Sequence, residues 1–179
     1  KGLGVSQGPV REAIRDLEAM GLVETIPFKG SRVRSMTEKD IRDNYSVRIC
    51  LESKSIRDAI TMLTDEELAE EQLHKILEEM DSCADNGDLQ RFTGHDTAFH
   101  RTIILATGNE VLLRFWDQCN NRNWFTISAM KDSATLKQLQ RHHLRIFTAI
   151  CNKDVEEATS TLECHLTQLV EDYVRQDQE

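Results

Sequence analysis

From Thr37 to Glu179 the chain has no proline and only three glycines, Gly87, Gly94 and Gly108. Proline deletes a helical N–H and collides with the preceding turn, and glycine adds entropy that folding must remove, so a long stretch without them favours helix. Apolar residues recur through it at three- and four-residue spacing. Thr37-Glu38-Lys39-Asp40 reads as a capped helix start leading into Ile41, Tyr45, Ile49 and Ile56. A second helix begins at Thr64-Asp65-Glu66-Glu67 and runs through Leu68, Leu73, Leu77 and Met80 to a turn at Asp85-Asn86-Gly87-Asp88. A third covers Leu89 to Ala106 and stops at Thr107-Gly108-Asn109. A fourth runs from Glu110 to Ser128 and a fifth from Ala134 to Cys151. Asn152-Lys153-Asp154 caps a sixth, which reaches Tyr173 or beyond. Six helices with short connections predict an antiparallel bundle over residues 37–179.

Residues 1–36 are built differently. Ser6 suits an N-cap, and Pro9 falls in the first turn, where a missing N–H costs least. Val10, Ile14, Leu17 and Met20 recur at helical spacing and leave Gln7, Arg11 and Arg15 to face outward. Gly21 closes the helix as a left-handed cap. Leu22 to Ile26 and Ser31 to Arg34 can pair as short strands around Pro27-Phe28-Lys29-Gly30, with Gly30 supplying the turn. A turn, an amphipathic helix and a hairpin with a basic tip are the parts of the back half of a winged helix-turn-helix. That order suits insertion of one helix into a DNA major groove. A small helix-plus-hairpin with no DNA role fits the same pattern. The fold class is therefore mainly α: a partial winged helix-turn-helix followed by an all-helical bundle.

Charge divides the chain at the same place. Residues 1–36 hold six Lys/Arg against four Asp/Glu, a net +2, and the remainder carries −11 of the total −9. A weakly basic head on an acidic body confines phosphate contact to one end. The five cysteines, Cys50, Cys83, Cys119, Cys151 and Cys164, are odd in number and lack CxxC spacing. They predict a reducing cytoplasm rather than a disulfide framework or zinc ribbon. No apolar run approaches the ~20 residues of a membrane span, and no signal peptide is evident.

Asp96 and His100 are four residues apart and share one helix face. His143 and His165 occupy later helices whose apolar positions can face the same interior. A carboxylate and three imidazoles from three helices would make an oxygen/nitrogen site for a divalent ion. Solvated helix faces show the same spacing. His95 and His142 lie roughly 100° around the helix from these positions and are expected toward solvent or a helix seam. His74, in a Glu-rich helix, is expected at the surface, and Cys164 is expected outside the ligand set.

The run Leu3-Gly4-Val5-Ser6, Pro9-Val10-Arg11-Glu12-Ala13-Ile14, Leu17-Glu18 and Gly21-Leu22-Val23 closely resembles the recognition-helix region of GntR-family bacterial transcription regulators. Gly30-Ser31-x-Val33 is similar to that family's wing. The body resembles the C-terminal effector-binding (FCD-type) domain of the FadR subfamily. The matching stretches are Asp96-Thr97-Ala98-Phe99-His100, His143 to Ile150, Asp154 to Ala158 and His165-Leu166. Arg48 and the Thr107-Gly108-Asn109 turn also match. The resemblance covers essentially the whole chain and places one helix and most of another before Lys1, so an N-terminal truncation is expected.

The resemblance implies operator DNA as a partner, a homodimer, and contacts from Ser6, Gln7, Gly8, Arg11, Lys29 and Gly30. The family usually carries an Arg and a Thr-like residue where Gln7 and Gly8 stand, and Gln favours adenine where Arg favours guanine, so a different base sequence is expected. In metal-containing members the ligands fall on Asp96, His100, His143 and His165. The ion is expected to be zinc, with nickel, manganese, cobalt or iron also compatible with the donors. Family effectors are often small organic acids bound near the metal. Arg48 would then pair with an effector carboxylate, and Asn120 and Asn123, beside Asn121 and Trp124, would line the pocket. Two other classes fit a helical body with histidines: a metal-dependent hydrolase and a plain dimerisation module. The hydrolase would need a non-ligand carboxylate beside the ion as general base, and no Glu or Asp is evidently spaced for it.

Overall fold

The computed structural model of the chain describes residues 4–19, 21–34, 37–62, 66–120 and 133–176. In chain order its elements are α1 (Gln7–Ala19), β1 (Val23–Ile26), β2 (Gly30–Val33), α2 (Glu38–Met62), α3 (Glu66–Asn86), α4 (Leu89–Ala106), α5 (Glu110–Asn120), α6 (Ser133–Cys151) and α7 (Val155–Gln176). They form two compact units, Lys1–Asp40 and Ile41–Glu179. The predicted start of the second helix at residues 64–65, the stretch 121–128 of the fourth, and Met20 lie outside the described residues. Among the described residues no helix is long and apolar enough to cross a membrane. None of the five cysteines is joined in a disulfide among the described residues.

In the first unit α1 ends as its glycine dictates. Gly21 adopts φ 71°, and the backbone closes through Gly21 N–H to Glu18 O at 2.9 Å and Leu22 N–H to Leu17 O at 2.9 Å. A side chain there would be strained, which is why glycine serves. The strands pair antiparallel from Val23↔Val33 to Ile26↔Gly30, one residue short of expectation at Leu22, whose carbonyl instead accepts from Arg34 N–H at 2.9 Å. Directly opposed side chains reinforce the ladder: Arg32 Nε meets Glu24 Oε1 at 2.6 Å and the Thr25 and Ser31 hydroxyls lie 2.8 Å apart. The turn departs from the sequence reading in one respect. Gly30 is left-handed at φ 88°, but Phe28 shares the work at φ 64°, its ring fully exposed at the hairpin tip. Lys29 N–H donates to Ile26 O at 3.0 Å, closing a turn with Pro27 in its second position and Phe28 in its third, where a type II turn requires positive φ.

The second unit is a bundle of α2 to α7. Its helix starts carry the oxygen side chains that orphan N–H groups require. Asp88 accepts from Arg91 N–H at 3.1 Å before α4. Asn109 Oδ1 accepts from Val111 and Leu112 N–H before α5, and Asp154 Oδ1 from Glu157 N–H before α7. At α2, Thr37 Oγ1 accepts from Asp40 N–H while Asp40 Oδ2 accepts from Thr37 N–H, a reciprocal capping box. Helix α3 continues to Asn86, so the predicted turn is shorter than Asp85–Asp88. Packed pairs are α3 with α4 and α6, α4 with α5 and α6, and α6 with α7. Phe92, Phe99, Ile104, Ile146, Leu162 and Leu166 are completely buried between them.

Candidate metal centre

The buried stripes of four helices carry polar residues in register with their apolar ones. On α2 the buried positions include Ile41, Tyr45, Arg48, Glu52, Ile56 and Ala59, at three- and four-residue spacings that mark one helix face. Two charges sit in the middle of it. On α4 Asp96 and His100 fall among Phe92, Phe99 and Ile103; on α6 His143 lies between Leu139 and Ile146; on α7 His165 lies between Leu162 and Leu166. Continuing each stripe inward therefore drives these side chains to one place.

Asp96, His100, His143 and His165 each offer a ligand atom within 4.8 Å of the others, and all four are buried. Ligands about 2.1 Å from a shared ion lie at most about 4.2 Å apart, so the set needs only a few tenths of an ångström of closure. His143 Nδ1 sits 2.8 Å from the Leu139 carbonyl, which can only accept, so that nitrogen carries the proton and Nε2 keeps its lone pair. His143 Nε2 lies 3.2 Å from His100 Nε2 and 3.1 Å from Asp96 Oδ1. Neither ring nitrogen of the fully buried His165 has a hydrogen-bond partner among the described residues. Imidazole lone pairs and a carboxylate thus converge on one buried point, an arrangement a cation completes. Phe99 closes one side, edge-on to His143 at 4.9 Å and to His100 at 5.6 Å.

Burial raises the Asp96 carboxyl, but the neighbouring His143 and His100 outweigh it and hold the group below the usual carboxylate range. Burial also pushes His165 well below the ordinary imidazole range, with the neighbouring His143 and His100 adding to the effect. An ionised carboxylate and a neutral imidazole are the forms that bind metal.

Glu52 is the residue that sequence reading misses, and it corrects the expectation that no further carboxylate stands by the site. It is almost wholly buried. Its Oε1 accepts from Arg48 Nε at 2.8 Å and from Trp116 Nε1 at 2.7 Å, and its Oε2 lies 2.7 Å from His100 Nδ1 in a bent contact. Burial alone would raise its carboxyl, but the Arg48 charge and then His100 bring it down to about 2. With Oε1 held by two donors and the Arg48 charge beside it, it is poorly placed to take a proton as a general base. The legible signal is Arg48-x-x-x-Glu52 in step with the core stripe of α2.

Arg48 is itself fully buried, its guanidinium carbon 5.2 Å from the Tyr45 ring and 5.9 Å from the Trp116 ring. One edge of it is committed to Glu52, whereas Nη1 has no hydrogen-bond partner among the described residues. Asn120 ends α5, with its Oδ1 buried and likewise unpartnered among the described residues. Asn123, with Asn121 and Trp124, lies outside the described residues. His95 and His142 are half-buried, while His74 and Cys164 are exposed. In the first unit Ser6 immediately precedes α1, and Gln7, Gly8 and Arg11 are exposed on it, Arg11 Nη2 lying 3.5 Å from Gln7 Oε1. Lys29 and Gly30 are exposed at the hairpin.

The FCD domain family matches residues 43–168. The chain is 33% identical over 171 residues to a probable D-xylose utilization operon transcriptional repressor of Paenarthrobacter nicotinovorans, spanning 92% of this chain and 71% of that protein. Its fold is similar to that of E. coli McbR/YncC, with a TM-score of 0.85 at 19% identity over 96% of this chain and 87% of the other. The metal-free FCD domain of the regulator TM0439 superposes with a TM-score of 0.67 at 21% identity, over 80% of this chain and 97% of that domain. The chain belongs to the GntR family of transcriptional regulators and carries their FCD domain. It is a regulator and not an enzyme, as its curated relatives are.

Proposed function

We propose that this regulator binds operator DNA through α1 and the β1–β2 hairpin, and senses a small carboxylic acid at a divalent metal held by Asp96, His100, His143 and His165. The convergence of those four buried side chains, each with a ligand atom within 4.8 Å of the others, carries the reading. When bound, the ion would supply Lewis acidity toward an oxygen ligand and open coordination positions, since five or six neighbours exceed the four the protein offers. Zinc heads the compatible ions, followed by nickel, manganese, cobalt and iron. Arg48, with one face of its guanidinium uncommitted, is suited to the effector carboxylate, and Asn120 and Asn123 to its remaining polar groups.

Operator contact falls to Arg11, with Ser6, Gln7 and Gly8 at the start of α1 and Lys29 and Gly30 at the wing; all are exposed. Two copies pair, because helix-turn-helix readers recognise two half-sites related by two-fold symmetry. The protein works in the cytoplasm, where operators lie. Effector binding shifts the population of two arrangements of the heads, and α2, which carries Arg48 and begins just after the hairpin, is the route. The test is operator affinity, with bound metal, across a panel of small carboxylic acids. One acid should bind and change operator affinity at least several-fold. Acids that bind without changing it would defeat the coupling.

A further inference from the structure

We propose that Glu52 is a positioning residue for the metal centre: its carboxylate holds His100 with the proton on Nδ1, leaving Nε2 to the ion, and ties that ligand to Arg48 and Trp116. This rests on the metal reading above. The geometry argues it step by step. His100 Nδ1 lies 2.7 Å from Glu52 Oε2, a close but bent approach in which neither atom has another hydrogen-bond partner among the described residues. A proton on Nδ1 turns that 2.7 Å approach from a lone-pair repulsion into an attraction, and it is assigned there. Nε2 then faces His143 Nε2 at 3.2 Å and Asp96 Oδ1 at 3.9 Å, toward the centre of the cluster. His143 reaches the same state independently, its Nδ1 proton held by the Leu139 carbonyl. The two rings are thus set by two different acceptors, one side chain and one backbone.

The same carboxylate links three helices. Arg48 Nε and Trp116 Nε1 both donate to Oε1 while His100 approaches Oε2, so α2, α4 and α5 meet on one group. A glutamine at this position has one oxygen and one amide nitrogen. Whichever way it turns, that nitrogen faces an N–H donor, and at least one of the three contacts is lost. Outer carboxylates of this kind both orient the imidazole and raise its basicity as a ligand.

The experiment uses the full chain and Co²⁺ as probe. Long-range ¹⁵N–¹H correlation on the metal-free wild type should show His100 and His143 both as Nδ1–H tautomers. In Glu52→Gln, His100 should move toward the Nε2–H form while His143 stays as it was. Co²⁺ affinity should fall about 10–100-fold with the far-ultraviolet circular dichroism unchanged and the visible Co²⁺ bands altered. The proposal is overturned by an Nε2–H tautomer for His100 in the wild type. It is equally overturned by a folded Glu52→Gln that keeps full Co²⁺ affinity, or that loses affinity with the His100 tautomer unmoved. If Glu52→Gln does not fold, the wild-type tautomer still decides, and Trp116→Phe, which spares the carboxylate, should leave it unchanged. Failure of wild-type protein to bind Co²⁺ would count against the metal reading alone, because the tautomer is measured without metal.

Discussion

Single side chains decide the centre, and their removal should separate chemistry from packing. His165→Ala takes away a buried imidazole with no hydrogen-bond partner among the described residues, so metal binding should vanish while the metal-free fold survives; metal content and circular dichroism check this together. Phe99→Ala does the reverse. It deletes a fully buried ring edge-on to His100 and His143, and about 3–5 kcal/mol of stability should be lost in denaturant unfolding. Glu52 gives a pH signature. Its folded value of about 2 lies below its ordinary 4.5, so its contribution is complete above about pH 4.5 and is lost as pH falls toward 2. The stability gap between wild type and Glu52→Gln should therefore narrow across that acid window, and a gap constant from pH 6 to pH 3 would contradict the assignment. Arg11→Ala should weaken operator binding by ~1–3 kcal/mol if it reads a base edge.

At the scale of elements, caps and stripes do most of the specifying. Asn109 satisfies two N–H groups at the start of α5, and Asn109→Ala should cost about 1 kcal/mol in thermal or urea unfolding. Such positions are legible in the sequence because the chemistry is local: Thr37, Asp88, Asn109 and Asp154 stand where an unpaired N–H needs an oxygen. Gly21 is legible for the same reason, since its left-handed backbone suits no other residue as well. Phe28 is not, because a left-handed phenylalanine contradicts its own preference and is imposed by hairpin closure. The four proposed metal ligands are half legible. Asp96-x-x-x-His100 announces one helix face, but that His143 and His165 meet it depends on how α4, α6 and α7 pack. Glu52 is harder still, because it contacts His100, 48 positions along the chain, and Trp116, 64 along; only its register with Ile41, Tyr45 and Ile56 betrays burial.

For the whole molecule, an acidic bundle and a weakly basic head match the proposed division between a sensor and a reader. A centre that converges lone pairs is under electrostatic repulsion without its ion, so metal should stabilise the fold by mass action, about 2.7 kcal/mol at a free concentration 100 times Kd. Chelation should lower the melting temperature of wild type and leave His165→Ala unmoved. The most direct test of the account is anomalous diffraction from crystals of the full chain grown with Zn²⁺, collected on either side of the zinc edge. One strong peak should lie about 2.0–2.2 Å from an Asp96 carboxylate oxygen, the Nε2 atoms of His100 and His143, and a ring nitrogen of His165. A well-ordered bundle with no peak among those four residues, or with zinc bound elsewhere, would contradict it.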